Sequence, residues 1–192
     1  MLLVNFVGGH IVVFASKACG TIRHMLRELH KELGIPDDYG RDGVKPLFEE
    51  APNLVDVGPN LVGRMQRLTP ATAASWQEMQ AAARDAGIAL LIVSGFRSFA
   101  YQAQLIRKKI EAGQELADIL RVNAAPGFSE HHTGRAIDIA TPGSRPLTEE
   151  FEASEAYAWL EKNAARYDFR MSYPRDNPAG FVYEPWHWAR MA

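Results

Sequence analysis

Short apolar runs set among helical patterns, without regular alternation, constrain this chain most. Residues 88–93 are apolar and partly β-branched, and 136–140 read Ala-Ile-Asp-Ile-Ala. Runs of similar size cover 169–173 and 181–184, the last extending toward 186–190. Each has the length of a strand and is too short for a stable helix. Helical signals lie between them. Thr69-Pro70 supplies an N-cap and a proline at the first helical position, which predicts a helix to Ala86 stopped by Gly87. Ser98 caps a predicted helix over 99–112, ended by Gly113, and a shorter one follows over 115–122. Thr148, with Glu149 and Glu150 behind it, opens a helix expected to reach about 165. Helices and strands mix without βαβ repetition. The expectation is an α+β fold with a small antiparallel sheet flanked by helices.

The N-terminal part is less regular. Thr21 is placed to cap a helix to Leu33, with Met25, Leu26, Leu29 and Leu33 on one face and Gly34 and Pro36 ending it. Residues 36–63 are rich in Pro, Gly, Asp and Asn and read as a long irregular segment that wraps the domain or borders a cleft. The apolar stretch 1–18 admits three readings: a buried strand over about 9–14, a weak export signal, or sequence upstream of a start at Met25. It is too short and too interrupted for a stable membrane span. The expected organisation is an extension, 1–67, packed on a core, 68–192, within one compact domain. At 192 residues, 47% hydrophobic and 23% charged, the chain can bury a sizeable core. A net charge of −2 provides no general attraction for nucleic acid. Cys19 is the one cysteine, so a disulfide within the chain and a multi-cysteine metal site are both excluded. Any metal must be held by His, Asp or Glu.

Asp138 is the first residue to point to chemistry. It sits at the centre of the apolar run 136–140, where side chains alternate, so Ile137 and Ile139 face one way and Asp138 the other. A carboxylate there is costly to bury unpaired. Either a metal or a basic partner, as in a structural salt bridge, would account for it. His131 precedes this run by a segment containing Thr133-Gly134, and a glycine lets the chain fold His131 back beside Asp138. His132 competes with His131; neighbours in extended chain point apart, so one of them binds. His187 arrives on a separate segment after Pro185. Two histidines and one carboxylate, with a fourth position left for water, form a catalytic zinc arrangement. Zinc lowers the pKa of such a water toward about 7. Glu184, near a ligand in sequence, is placed to take its proton. His10, His24 and His30 read as ordinary helix or surface residues, and Trp186 and Trp188 as core packing around the site.

The residues also resemble a known pattern. Ser129 to Asp138 fits S-x-H-x-x-G-x-A-x-D at every fixed position, and Glu184 to His187 fits the companion E-x-x-H. Ser94 to Ser98, followed by Gln102, is similar to the upstream S-G-Y/F-R-S-x-x-x-Q element. Together they resemble the D-alanyl-D-alanine carboxypeptidase (VanY-type) branch of the LAS zinc peptidases, over about 68–191. The resemblance implies a LAS/hedgehog-like zinc peptidase fold, with one zinc ion per chain held by His131, Asp138 and His187. It implies that Glu184 is the base and that Arg97 holds the substrate carbonyl and its oxyanion. Ser129 and Gln102 become candidates for binding substrate, against the plainer readings that Ser129 orders the approach to His131 and Gln102 ties down the Arg97 loop. Asp168-Phe169 departs from relatives, which often carry Gly-Phe. Residues 172–180 are expected to line the cleft, and Arg170 and Arg175 to be solvated. The implied partner is the peptidoglycan stem peptide or its fragments, with no nucleic acid. The implied reaction removes its terminal D-alanine. A D-Ala-D-Ala dipeptidase or an L-Ala-D-Glu endopeptidase could use the same residues, and a silent zinc module that binds wall peptides or a protein is the rival of another class. A base at Glu184 argues against that module. The cell envelope or periplasm is the expected location, with the cytoplasm as the alternative.

Overall fold

A computed structural model describes residues 16–41 and 43–191; the alternatives for 1–18 largely concern residues outside these. Helix α1 spans Ser16–Leu33. It begins before Thr21, which is therefore inside the helix and not its cap. A hairpin follows, β1 (Val55–Pro59) pairing antiparallel with β2 (Met65–Leu68). Its first strand lies at the end of the segment read as irregular, 36–63, and its second just beyond. Gly58, Pro59 and Asn60 hide it, since they disfavour strand on propensity, and a bulge between Asp56 and Gly58 absorbs the irregularity.

Helix α2 (Pro70–Asp85) starts as expected: the Thr72 N–H donates to Thr69 Oγ1 at 3.4 Å. Then come β3 (Leu91–Ser94), α3 (Phe99–Glu111) and α4 (Leu116–Val122). Ser98 caps α3 by accepting from the Tyr101 N–H at 3.1 Å. A 3-10 turn, Glu130–Thr133, leads into β4 (Ala136–Ala140). The single helix expected after Thr148 is broken. Thr148 makes no side-chain cap, Glu149–Ala153 form a 3-10 turn, and Ser154 restarts the chain as α5 (Glu155–Asn163) by capping the Tyr157 N–H. Two cap-forming residues six apart compete here, and the second prevails. A 3-10 turn (Ala164–Tyr167) then precedes β5 (Phe169–Met171), and β6 is His187–Arg190. Residues 181–184 are not a strand. Pro185 has no N–H for a ladder, and the Val182 and Glu184 N–H groups donate instead to Arg121 O and Tyr173 O.

The main sheet is antiparallel throughout, in the order β3-β4-β6-β5, which is the expected α+β architecture. Its core joins Ile137 and Ile139 of β4 to Trp76 and Met79 of α2, Leu160 of α5 and Trp188 of β6. A second cluster joins Leu33 and Ile35 to Ile106 of α3 and Ile119 of α4. Among the described residues no helix is long and apolar enough to cross a membrane.

Gly134 fixes the approach to β4. Its φ is +61°, and a Cβ there would meet Leu54 Cδ2 at 2.9 Å and Thr69 Cγ2 at 3.2 Å. Gly134→Ala therefore combines left-handed strain with overpacking, about 2–4 kcal/mol together. Thermal melting should fall by roughly 5–15 °C. An unchanged melting temperature would mean the turn adapts freely.

Candidate active site

Sheet register brings the polar residues together. Asp138 lies opposite Ser94 on one side and opposite His187 on the other. These three side chains thus share a face across three neighbouring strands. That face is covered too: Asp138 is 2% exposed, so β4 is buried on both sides.

The two adjacent histidines diverge. His131 Nδ1–H donates to Gly95 O at 2.7 Å, which leaves Nε2 aimed at Asp138 Oδ2, 3.2 Å away. Burial and the nearby Arg97 guanidinium lower its pKa to about 4, against the pull of Asp138, so its ring is neutral and ready to ligate. His132 has both nitrogens engaged by backbone: Nδ1–H donates to Arg97 O at 2.6 Å, and Nε2 accepts from the Gly127 N–H at 3.1 Å. It therefore has no nitrogen free for a metal and acts as a strut between two loops.

His187 comes from the opposite strand. Its Nδ1 lies 3.0 Å from Asp138 Oδ1, and its ring sits nearly perpendicular to that of His131, 4.9 Å between centres. Burial alone would lower the His187 pKa, but the Asp138 and Glu130 carboxylates outweigh it and raise it to about 10. Burial works against ionisation of Asp138 as well, yet His131 and Arg97 hold it well below the usual carboxylate range. Ligand atoms of His131, Asp138 and His187 all lie within 4.8 Å of one another. Around a tetrahedral zinc with bonds near 2.0–2.1 Å, ligand atoms are about 3.3 Å apart. A small inward adjustment accommodates the ion, and the nitrogen–nitrogen–oxygen donor set suits it.

Glu184 is drawn to the site by a turn in which the His187 N–H donates to Glu184 O at 3.1 Å. Its Oε2 is 3.9 Å from His187 Nδ1. Burial raises its pKa to about 7, with Asp138 and Glu130 adding to the effect and His187 and Arg97 opposing it. Arg97 is anchored by its Nε donating to Ser94 Oγ at 2.8 Å, and its guanidinium pairs with Asp138 Oδ2.

Ser129 and Gln102 both line the cleft of about 370 Å³ that opens over these residues. Gln102 donates from Nε2 to Ala124 O at 2.9 Å, while its Oε1 is buried without a partner. The amide thus ties down a loop at one end and keeps an acceptor at the other. Of residues 172–180, Tyr173 faces the cleft, its ring 4.8 Å from that of His187. Arg175 turns away to Glu149 and Glu152. Arg170 is exposed. Trp188 packs in the core, while Trp186 both packs there and lines the cleft. At Asp168, where relatives often have glycine, φ is +64° and the carboxylate pairs with Arg190 at 2.9 Å. An Asp tolerates this left-handed geometry better than most residues.

Sequence reasoning missed Glu130. Its Oε2 lies 2.9 Å from His187 Nε2, so it holds the ring nitrogen that faces away from the ligand cluster. Burial raises its pKa, but the bond to His187 outweighs this and lowers it. The available signal was chemical: a ligating histidine needs a partner for its second nitrogen, and Glu130 adjoins His131. Glu130→Gln should weaken zinc binding by about 10- to 100-fold, read by competition with a chromophoric chelator. Unchanged affinity would make the contact incidental.

The VanY D-alanyl-D-alanine carboxypeptidase family profile matches residues 65–191. The chain belongs to this family. The D-alanyl-D-alanine carboxypeptidase of Enterococcus faecalis is 31% identical over 122 residues, covering 58% of this chain and 44% of that protein. The bifunctional D-Ala-D-Ala dipeptidase and carboxypeptidase of Enterococcus gallinarum is 30% identical over 127 residues, covering 62% and 65%. The chain thus spans less than two thirds of the length of these curated VanY relatives. Among solved structures, the LdcB LD-carboxypeptidase aligns with a TM-score of 0.66 at 30% identity, over 76% of this chain and 71% of that one. A VanY D,D-pentapeptidase from a VanB-type resistance cassette, solved with Zn(II), aligns at 0.59 and 26%, over 78% and 88%. These likenesses set the α+β fold within the LAS group of VanY and LdcB peptidases.

Proposed function

We propose that this VanY-family chain is a zinc-dependent peptidase that removes terminal D-alanine from the stem peptide of the bacterial cell wall, acting in the cell envelope. The observation that carries the reading is the convergence of His131, Asp138 and His187 with a buried Glu184 at the floor of an open cleft. Zinc, when bound by those three residues, supplies Lewis acidity toward a peptide carbonyl and toward water. Glu184, with a pKa drawn toward neutrality, takes the proton of the attacking water on its carboxylate and returns it to the departing amine. Arg97, braced by Ser94, sets a fixed cation where the scissile carbonyl oxygen gains charge, in a site whose burial strengthens the interaction. Glu130 keeps the His187 ring in orientation. Ser129 lines the cleft within reach of a peptide; the unpartnered amide oxygen of Gln102 is buried in the wall and needs a side-chain shift to meet one.

The relatives named for D-alanyl-D-alanine carboxypeptidase activity, and a VanYB structure holding D-alanine-D-alanine, support this choice of substrate. The bifunctional E. gallinarum relative keeps free D-Ala-D-Ala as the second reading. A silent binding module has no use for a buried carboxylate beside an open metal position. Mass spectrometry of products from defined stem peptides identifies the bond cut. Loss of one terminal alanine residue is expected from the pentapeptide; cleavage only of the free dipeptide, or between L-alanine and D-glutamate, would replace the reading.

A further inference from the structure

The cleft holds a second cation that the reaction above leaves unused. Helix α3 presents Tyr101, Gln102, Leu105 and Lys109 to the cavity, while Phe99, Ala103 and Ile106 are buried. Positions 101, 105 and 109 recur every four residues and form one stripe of the helix. Lys109 thus stands about 12 Å along the axis from Tyr101, at the far end of the wall that begins beside Arg97. The two cleft cations differ in their engagements. Arg97 is committed to Asp138 and Ser94. Among the described residues lining the cleft, Lys109 is the cation with no carboxylate at ion-pair distance. Its neighbour Lys108 points to solvent, whereas Lys109 is half-buried. Burial and the Arg97 charge lower the Lys109 pKa, and Glu184 raises it, so the ammonium shares a field with both. Partial desolvation of an unpaired ammonium is unfavourable, and an anion entering the cleft reverses it.

We propose that Lys109 is a specificity-determining residue that binds a carboxylate of the peptide substrate. The proposal rests on the reading of the cleft as a peptidase site. A lysine side chain reaches back about two residue lengths along the wall, so the carboxylate lies within about three residues of the bond cut. Two parts of a stem peptide satisfy that: the free C-terminal carboxylate of the leaving residue, or an acidic side chain on the part retained.

The test compares zinc-loaded wild type with Lys109→Gln and Lys109→Glu on matched peptides. These carry a free or an amidated C-terminus, and an acidic or a neutral side chain before the cut bond. Lys109→Gln should raise KM about tenfold on peptides with the recognised carboxylate, leaving kcat within about twofold, and Lys109→Glu should raise it further. If the contact is C-terminal, amidating that end abolishes the difference between variant and wild type; if it is to the side chain, neutralising the side chain does so. Equal KM for wild type and both variants on all peptides overturns the proposal. Calorimetry of the same peptides on zinc-loaded Glu184→Gln, with and without Lys109→Gln, reads the contact without turnover. Lys109-dependent binding in that variant, with the zinc-loaded wild type cleaving none of the peptides, upholds the carboxylate contact and sinks the peptidase reading. Cleavage indifferent to Lys109 does the reverse, and absence of both binding and cleavage overturns both.

Discussion

Glu184→Gln is expected to lower kcat by about 10²- to 10⁴-fold while zinc stays bound at one per chain. Glutamine keeps the size and the hydrogen-bonding reach of glutamate but cannot accept a proton. Glu184 itself is buried beside the ligand cluster. Its surroundings suit it to proton transfer, because burial raises the pKa to about 7, where a carboxylate is a stronger base than in water. The sign of the pH dependence follows. The base works only when ionised, so kcat/KM of the wild type should rise with pH and level off, with its acid limb at or below 7, because a bound metal cation favours the ionised form. The variant should lose that limb. Metal analysis alongside steady-state rates checks the claim, and turnover retained in zinc-loaded Glu184→Gln would remove Glu184 from the base role.

His187→Ala should abolish stoichiometric zinc binding. It deletes one of the three proposed ligands and leaves the Asp138 and Glu130 carboxylates without the ring that separates them. The loss of affinity should exceed the roughly 10- to 100-fold expected of Glu130→Gln, which removes only the support of the ring. In the wild type, metal must displace a proton from His187. Without metal the ring bonds carboxylates through both nitrogens and is protonated below its raised pKa of about 10. Zinc takes the neutral ring at Nδ1, so falling pH opposes binding, and affinity should rise roughly tenfold per pH unit for one displaced proton. Competition titrations at several pH values measure that slope. Full zinc occupancy in His187→Ala would take His187 out of the ligand set.

The parts of this molecule that were legible in its sequence are those decided within a few residues. Thr69 and Ser98 cap helices because an N-cap needs only its own hydroxyl and an amide three positions on. The strand Ala136–Ala140 was visible because two isoleucines flank an acid at strand period. His131 and Asp138 meet through a turn that Gly134 makes possible, again a local device. What escaped was decided by tertiary partners. The β1–β2 hairpin contains residues that disfavour strand, and only pairing makes it one. Residues 181–184 have a strand-like composition, but their amides bond to Arg121 and Tyr173 on other segments. Residue chemistry alone left His131 and His132 as competitors; the motif resemblance selected His131, and the backbone partners of the two rings give the physical reason. Glu130 reaches a histidine 57 positions away; its place beside His131 hinted at a supporting carboxylate, but not at which ring it supports.

The central claim is most directly tested by release of D-alanine from a stem pentapeptide, measured on protein stripped by a chelator and again after one equivalent of zinc is restored. The stripped protein should release none, and one zinc per chain should recover full activity. Release by the stripped protein, or none from a chain that holds its zinc, would contradict the account.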